Sequence, residues 1–331
     1  MRILIIGGNR FVGLELTAAL LAQGHEVTLL NRGTLIDPFG ARVHRLQADR
    51  STDAFDAALA GTTWDAVVDC ALFDGPQTER LLRVLTGRVG HLVVLSTGQV
   101  YLVRTPRPVL ATEEDFDGPV LSAPPSPAEE PDWRYGIEKR DVEHRLAAGA
   151  LPFTTLRLPM VHGGRDQKRR LDSVLWRLMD GGPILLTQPE APVRHVFSGA
   201  VVKAVLAVLA GAPRNEALNL GWSDALTART FVEHIGRAFG VTARVQVHSE
   251  EALVAAGIEP LQACVVNSRW MSALDASRAR RELGFVHEPL DTWLPAVVHA
   301  LVSRWTDAPP SLGQRARELA LSGAPAARSR G

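Results

Sequence analysis

The first thirty residues contain the pattern that most restricts what this chain can fold into. An apolar run, a glycine pair, a stretch of helix-forming residues that ends at Gly24 and a second apolar run follow one another, at residues 3–6, 7–8, 15–23 and 27–30. This order predicts a strand, a tight turn, a helix and a second strand. Because the connections are short, the two strands are expected to lie parallel with a right-handed crossover.

Similar units are predicted further along the chain. More strands are expected at residues 43–47, 66–70, 91–96 and 154–158, and helices at 77–85, 135–147, 201–209, 230–239 and 293–304. Alternating strands and helices are typical of α/β proteins. We therefore predict an α/β fold, a Rossmann-type doubly wound parallel sheet with a smaller C-terminal domain.

Composition argues against several classes of function. The 331 residues carry 36 basic and 36 acidic side chains, so the net charge is zero. Without an excess of positive charge, neither nucleic acid nor a membrane surface is an expected partner. Two cysteines are too few for a disulfide framework, and no apolar run is long enough for a signal sequence or a membrane span, so a cytoplasmic location is predicted.

Gly7, Gly8 and Gly13 stand where the first predicted strand passes into the first helix. Glycines at this place let the backbone approach a pyrophosphate, while the helix N-terminus offers N–H groups and the positive end of its dipole. The turn GGNRFVG therefore predicts a dinucleotide site. A tight packing turn without a ligand is the alternative.

The cofactor preference is predicted from two arginines. The second strand ends in Asn31-Arg32, and Arg10 lies in the glycine turn. A carboxylate at this strand end would accept hydrogen bonds from the ribose 2′-hydroxyl of NAD(H), and none is present. Two guanidinium groups could clamp a 2′-phosphate, so NADP(H) is preferred. NAD(H), with both arginines facing solvent, is the alternative.

A tyrosine and a lysine form the candidate catalytic pair. YGIEK places Tyr135 and Lys139 on one face of a predicted helix, in a chain with only two tyrosines and three lysines. An ammonium group beside a phenol lowers its pKa, so the tyrosine can exchange a proton with a substrate oxygen as hydride moves to or from a nicotinamide. Upstream, Ser96 and Thr97 end a predicted strand and offer a hydroxyl to the same oxygen. The alternatives are an ordinary exposed pair and a turn cap.

These motifs resemble those of the extended short-chain dehydrogenases/reductases, also called the NAD-dependent epimerase/dehydratase family. The resemblance covers nearly the whole chain and rests on GGNRFVG, ADRSTD, VVDCA, LSTGQVY, YGIEK, LRLPMVHGG, NLGWSDALT and ARRELGF. The arginine in the glycine turn is most similar to that of an atypical branch, which includes plant plastid RNA-associated proteins and bacterial members. The resemblance implies an NAD(P)-dependent oxidoreductase or epimerase with a sugar-like small-molecule substrate, and a homodimer.

The same resemblance implies the site residues. The catalytic residues are Thr97, Tyr135 and Lys139. The cofactor contacts are Gly7, Asn9, Arg10, Phe11, Val12, Gly13, Asn31, Arg32, Asp49, Arg50, Cys70, Ala71, Tyr135, Lys139, Pro159 and Val161. The substrate contacts are Ser96, Gly98, Gln99, Met160, His162 and Arg194. For Asp49, a turn-capping role is the alternative.

Departures from the family pattern restrict the reactions and substrates that are expected. Gly98-Gln99 replaces the Asp-Glu pair with which sugar 4,6-dehydratases eliminate water, so that reaction is not expected. Met160 stands where nucleotide-sugar enzymes commonly have asparagine, and the aspartate usually found shortly after Arg194 is missing. Both differences weaken the case for a nucleotide sugar.

The remaining expectations concern the domains and the rival classes. The dinucleotide-binding domain is expected at residues 1–160 with a return near 192–222, the substrate-binding domain mainly at 161–305, and a flexible tail at 306–331. The proline-rich segment 104–133 is predicted to be a lid, with disorder as the alternative. The histidine spacings predict no metal site. A non-catalytic NADP(H) sensor and an RNA-associated protein are the rivals; the catalytic set opposes the first and the zero net charge opposes the second.

Overall fold

A computed structural model describes residues 1–223 and 226–323. Its strands are β1 Arg2–Ile6, β2 Glu26–Asn31, β3 His44–Gln47, β4 Trp64–Asp69, β5 Val89–Thr97, β6 Phe153–Leu158, β7 Val161–His162, β8 Ile184–Leu186, β9 Pro192–Val193, β10 Val196–Phe197, β11 Glu216–Asn219, β12 Leu226–Thr227 and β13 Val245–Val247. Its helices are α1 Phe11–Ala22, α2 Asp53–Leu59, α3 Gly75–Leu85, α4 Gln99–Leu102, α5 Glu130–Ala148, α6 Arg170–Met179, α7 Ser198–Ala210, α8 Ala228–Phe239, α9 Glu250–Ala255, α10 Pro260–Ala263, α11 Ser277–Leu283, α12 Leu290–Val302 and α13 Arg315–Leu321.

Seven strands form one sheet in the order β11-β6-β5-β4-β1-β2-β3. Every neighbouring pair is parallel. Ile5 of β1 lies opposite Leu29 of β2 on one side and Val68 of β4 on the other. The chain therefore winds outward from β1 in both directions, which confirms the predicted doubly wound α/β fold. In such sheets, ligands bind beyond the carboxyl ends of the strands where the winding direction changes.

The apolar strands are buried because helices cover both faces of the sheet. Leu4 and Val67 belong to a core cluster with Phe55 of α2, Leu81 of α3 and Val142 of α5. On the opposite face, α1 packs against α7. Each fully buried aliphatic side chain contributes about 1.5–3 kcal/mol, so this two-sided cover is the main source of stability of the sheet.

The chain divides into two compact units. Unit 1 contains residues 1–159, 198–221 and 274–287, and unit 2 contains the described residues of 160–197, 222–273 and 288–331. The return of the chain to the sheet therefore begins at α7, later than the expected residue 192. The further return at 274–287 was not predicted, and it arises because α11 packs against α7 and β11.

Unit 2 has its own aromatic and aliphatic core. Helices α6, α8 and α12 contribute Val174, Phe231 and Trp293, and Trp222 joins them. Strand β8 pairs with β13 in a separate two-stranded sheet. None of the helices within the described ranges is of a length and hydropathy suited to crossing a bilayer.

The C-terminal segment corrects the expectation of a flexible tail from residue 306. The structure folds it into a 3-10 turn over Pro310–Gln314 and into helix α13. The reason is a buried ion pair: Arg177 of α6 donates to both Glu318 carboxylate oxygens at 2.8 and 2.6 Å, and both side chains are excluded from solvent. Residues 324–331 of the expected tail lie outside the described residues, as do Asp224 and Ala225 of the NLGWSDALT motif.

The proline-rich segment before α5 is ordered and attached to unit 1. Its 3-10 turn over Glu113–Phe116 places the Phe116 ring between two guanidinium groups, Arg140 at 4.1 Å and Arg157 at 4.2 Å from the ring centroid. Arg140 also donates to the Phe116 carbonyl at 2.6 Å. Cation–π contacts of this kind are worth about 0.5–2 kcal/mol each, and the pair fixes this part of the segment on the sheet domain.

Candidate cofactor and active site

The glycine turn after β1 is closely packed. Gly7 has φ +85°, a conformation that favours glycine, and a Cβ on Gly13 would lie 2.4 Å from the Gly7 carbonyl oxygen. Cys70 and Ala71, which follow β4, have Cβ atoms 3.5 and 3.3 Å from the position that a Gly7 Cβ would take. The turn therefore brings the ends of β1 and β4 together with the start of α1, as close approach of a backbone to a pyrophosphate requires.

The start of α1 is suited to an anion. The N-cap is Arg10, no side chain caps the helix, and its first turn contains no acidic residue. Phe11 begins the helix with φ 39°, Val12 is buried, and Asn9 turns away to donate to the Leu35 carbonyl at 3.3 Å. The N–H groups and the positive end of the helix dipole suit a phosphate, so the residues present fit a dinucleotide.

The end of β2 carries the predicted ribose contacts. Arg32 and Arg10 are both exposed, and Asn31 accepts a hydrogen bond from Gly33 N–H at 2.9 Å. Asp49 lies after β3 and accepts from Ser51 N–H at 2.9 Å and from Ser51 Oγ at 2.5 Å. The hydrogen bonds that Asp49 accepts from Ser51 are the main reason why the pKa of Asp49 is lowered. Asp49 thus caps its turn, and its contact with adenine stays a prediction.

Arg50, an expected cofactor contact, has another role in the structure. Its guanidinium group donates to the carboxylate of Asp69 and to the carbonyl of Ala71, and Asp69 is fully buried at the end of β4. Asp69 also accepts from Ala71 N–H at 2.9 Å. The arginine therefore neutralises a buried carboxylate and fixes the turn after β4. The signal that sequence reasoning missed is Asp69 itself, a charged residue inside an apolar strand.

Thr97 ends β5, opposite Leu158 of β6. Its Oγ1 accepts a hydrogen bond from the backbone N–H of Gln99 at 3.2 Å, so the threonine also caps the start of α4. Gly98 forms the junction and donates its N–H to the Leu158 carbonyl at 2.7 Å. This turn places the hydroxyl at the carboxyl end of the sheet.

Tyr135 and Lys139 lie one turn apart on α5. Lys139 is only 2% exposed, and its ammonium group donates to the Leu72 carbonyl at 2.8 Å and to the Leu95 carbonyl of β5 at 2.9 Å. Desolvation lowers the pKa of Lys139 to about 8, so the side chain is cationic at neutral pH. Two hydrogen bonds therefore fix α5 beside the strand that carries Thr97.

A buried polar network that sequence reasoning missed lies behind these residues. Ser96 donates to Glu143 Oε1 at 2.5 Å, and Arg157 donates to Glu143 Oε2 at 2.9 and 2.6 Å. Arg157 also donates to the Tyr101 hydroxyl at 2.6 Å, which donates to Asn219 at 2.7 Å. Ser96 was expected to contact substrate; the structure instead buries it in this network. The hydrogen-bonded partners lie 14 to 118 residues apart in sequence, so no local spacing indicated this network.

The predicted residues from Met160 onward belong to unit 2, while Pro159 ends the first segment of unit 1. Val161 and Met160 are partly buried, and Arg194 donates to the Ser223 carbonyl. His162 was expected to contact substrate. The structure places it instead in the core of unit 2, fully buried, with its Nε2 2.6 Å from Nδ1 of His195.

Metal ligands are not assembled in the part of the chain that the structure describes: residues 1–223 and 226–323 contain no group of three or more His, Cys, Asp or Glu side chains placed to hold an ion. The chemistry available in unit 1 is that of a hydroxyl on β5, a phenol on α5 and a buried ammonium group beside them. Such a set can hold a substrate oxygen and exchange a proton with it.

Comparison with known proteins shows to which protein family the chain belongs. Residues 3–221 match the model of the NAD dependent epimerase/dehydratase family, and the chain belongs to this family. Family membership confirms the resemblance found in the motifs.

Two characterised proteins are similar in sequence. The 2'-dehydrokanamycin reductase of Streptomyces kanamyceticus is 28% identical over 288 residues, which cover 83% of this chain and 77% of the reductase. The chloroplast stem-loop binding protein of 41 kDa b from Arabidopsis thaliana is 26% identical over 197 residues, 55% of this chain and 48% of that protein. The second match therefore spans about half of the plant protein.

Solved structures share the fold. UDP-N-acetylglucosamine 4-epimerase from Bacillus cereus superposes with a TM-score of 0.69 at 20% identity, over 93% of this chain and 99% of the epimerase. UDP-glucuronic acid 4-epimerase from the same organism, in complex with NAD, superposes with a TM-score of 0.68 at 17% identity, over 92% and 97% of the two chains. At these identities, the likeness establishes the architecture.

Proposed function

We propose that this chain is an NAD(P)(H)-dependent oxidoreductase or epimerase that acts on a hydroxyl or carbonyl group of a sugar-like substrate. The observation that carries the proposal is the position of Lys139, buried one helical turn from Tyr135 and hydrogen-bonded to β5 just before Thr97. A buried ammonium group is costly, and a protein retains one where its charge is used.

Each of the three side chains has a distinct task. Thr97 donates a hydrogen bond to the reacting oxygen of the substrate and holds it beside the phenol. Tyr135 gives a proton to that oxygen when a carbonyl is reduced and takes it away when an alcohol is oxidised. Lys139 stabilises the phenolate and has one N–H left for the nicotinamide ribose. When bound, the nicotinamide ring supplies or accepts the hydride.

The preferred cofactor is NADP(H). Arg10 at the N-cap of α1 and Arg32 after β2 supply two exposed guanidinium groups at the ribose end of the site, and no carboxylate ends β2. Guanidinium groups form paired, charge-assisted hydrogen bonds with phosphate, whereas a free 2′-hydroxyl prefers an acceptor. The two arginines therefore favour the 2′-phosphate.

Among family reactions, reduction of a ketone or epimerisation fits these residues better than dehydration. Gln99 stands where dehydration needs an acidic or basic side chain, and its amide can be neither at neutral pH. The name of the bacterial relative, a reductase, supports a reductive reaction here as well.

The test combines cofactor binding with a panel of keto sugars and nucleotide sugars. We expect oxidation of NADPH, or a new epimer on chromatography, with at least one member of the panel. Tyr135→Phe should reduce kcat about 10²–10⁴-fold while NADPH affinity changes little, because a general acid is removed and the binding site is kept. Lys139→Met should lower both kcat and cofactor affinity. Lys203→Met, an exposed lysine on α7, is the matched control. Full turnover by Tyr135→Phe would refute the mechanism.

A further inference from the structure

Gln99 lies close to two of the three proposed catalytic residues of unit 1, Thr97 and Tyr135. Its backbone N–H donates to Thr97 Oγ1 at 3.2 Å. Its carbonyl oxygen would lie only 2.8 Å from a Cβ on Gly136, the residue that follows Tyr135. Gln99 therefore contacts both the strand end that carries the threonine and the helix turn that carries the tyrosine.

The side-chain amide of Gln99 has one unused acceptor. Its Nε2 donates to Asp132 Oδ1 at 3.4 Å, whereas its Oε1 is buried and accepts no hydrogen bond from any of the described residues. The reverse orientation of the amide would place Oε1 against a carboxylate oxygen, and two acceptors repel each other. The hydrogen bond to Asp132 thus fixes the Gln99 amide in the orientation that points Oε1 away from this carboxylate. A buried carbonyl oxygen without a donor costs about 1–3 kcal/mol, so a ligand that supplies a donor would be favoured.

The negative charge of the Asp132 carboxylate is also incompletely compensated. It lies on α5 three residues before Tyr135, it is half-buried, and its hydrogen bond within the described chain comes from Gln99. Within residues 1–223 and 226–323, no lysine or arginine forms an ion pair with it. Burial, and after it the carboxylate of Glu129, raise the pKa of Asp132. The neighbouring cation Arg134 is paired with exposed Glu130 instead.

An unpaired acceptor beside an uncompensated carboxylate selects a particular kind of ligand group. A neutral hydroxyl could satisfy the Gln99 oxygen but would leave the negative charge of Asp132 unchanged. A protonated amine carries three N–H donors and a positive charge, so it satisfies both groups at once.

We propose that Gln99 and Asp132 form an ammonium subsite beside Thr97 and Tyr135, and that the substrate is therefore a cationic amino sugar whose amine lies near the reacting carbon. The subsite deepens the proposed function, on which it depends for the identity of the reacting carbon. It assigns to Asp132 a role that the sequence motifs did not indicate.

The test is equilibrium binding to the whole chain saturated with NADP+ or, if that binds more tightly, NAD+. Three probes share one ring and differ at a single substituent: glucosamine carries an ammonium group, N-acetylglucosamine a neutral amide and glucose a hydroxyl. Affinities are measured by saturation-transfer NMR at a pH where the amine is protonated. We expect glucosamine to bind about tenfold more tightly than the other two.

Two variants and one control test whether the preference for glucosamine depends on Gln99 and Asp132. Asp132→Asn and Gln99→Met should each remove most of the preference for glucosamine, with cofactor affinity and Tm close to wild type as evidence of folding. Glu130→Gln changes the charge of the same helix turn by the same amount at an exposed position, and should leave the preference intact. Equal affinity for the three sugars, no detectable binding of glucosamine, or a preference that survives Asp132→Asn would overturn the proposal.

Binding can be separated from turnover. Tyr135→Phe should keep the preference for glucosamine and lose hydride exchange. If Tyr135→Phe stays fully active while the preference follows Asp132, the proposed catalytic role is wrong and the ammonium subsite stands. If the catalytic variants behave as expected and the three probes bind equally, the subsite alone fails.

Discussion

Gly136 allows α5, the helix that carries Tyr135, to approach α4, and an added methyl group should disturb both stability and the proposed catalysis. In Gly136→Ala, the new Cβ would lie 2.6 Å from Val103 Cγ1 and 2.8 Å from the Gln99 carbonyl oxygen. Normal carbon–carbon contact is about 3.5 Å or more, so the shortfall against Val103 is about 0.9 Å. Val103 is fully buried and the Gln99 oxygen is backbone, so α5 itself must move by a similar amount.

Two quantities should change. Overpacking costs about 1–3 kcal/mol, and the better helix propensity of alanine offsets about 1 kcal/mol of it, so the net loss is at most about 2 kcal/mol and Tm falls by up to a few degrees. A displacement of nearly 1 Å at the adjacent Tyr135 should lower kcat by about 100-fold. Thermal unfolding and turnover are compared with Gly211→Ala, whose new Cβ would lie at an ordinary contact distance of 3.7 Å from the Val208 carbonyl oxygen. Wild-type Tm and kcat in Gly136→Ala would refute the view that this contact positions Tyr135.

Three further outcomes are expected. Glu318→Gln leaves Arg177 buried with a neutral partner and should destabilise the fold by about 3–5 kcal/mol in urea unfolding; an unchanged midpoint would show that α13 is dispensable. Burial lowers the pKa of His162, and that of His195 to about 3, so both imidazole rings are neutral in the folded protein. Below pH 6.5 each ring should therefore lower the free energy of unfolding by about 1.4 kcal/mol per pH unit, and replacement of His162 by Phe should reduce this slope. Arg32→Ala should weaken NADPH binding about tenfold or more and leave NADH binding unchanged; equal losses would contradict the phosphate clamp.

The sheet and the glycine turn could be predicted because their signals are local. The apolar run of β1, the glycines after it and the helix-forming residues of α1 lie within about twenty consecutive residues, and parallel pairing follows from the short connections. The placement of Tyr135 and Lys139 on one helix could be predicted for the same reason, because a spacing of four residues puts two side chains on one face of a helix; their catalytic role stays a prediction.

The buried polar contacts could not be predicted because their partners are distant in sequence. Arg177 and Glu318 are 141 residues apart, and Tyr101 and Asn219 are 118 apart. Composition was misleading for the C-terminal segment, where alanine and arginine suggested a frayed end. The i,i+3 pair of Arg315 and Glu318 next to buried Leu319 was the signal that could have indicated a docked helix.

Lys139 shows why lysine rather than arginine occupies this place in a chain in which 33 of the 36 basic residues are arginine. Its ammonium group fits between the carbonyls of Leu72 and Leu95 at 2.8 and 2.9 Å in a position that is almost closed to solvent. A planar guanidinium group is larger and holds its donors in a fixed fork, so it could not make both contacts without moving β5 or α5. The compact ammonium group uses two of its three N–H donors to fix the helix and keeps the third for a ligand. The residue that positions α5 is thus also one that can bind the proposed cofactor, and loss of its charge should affect both functions together.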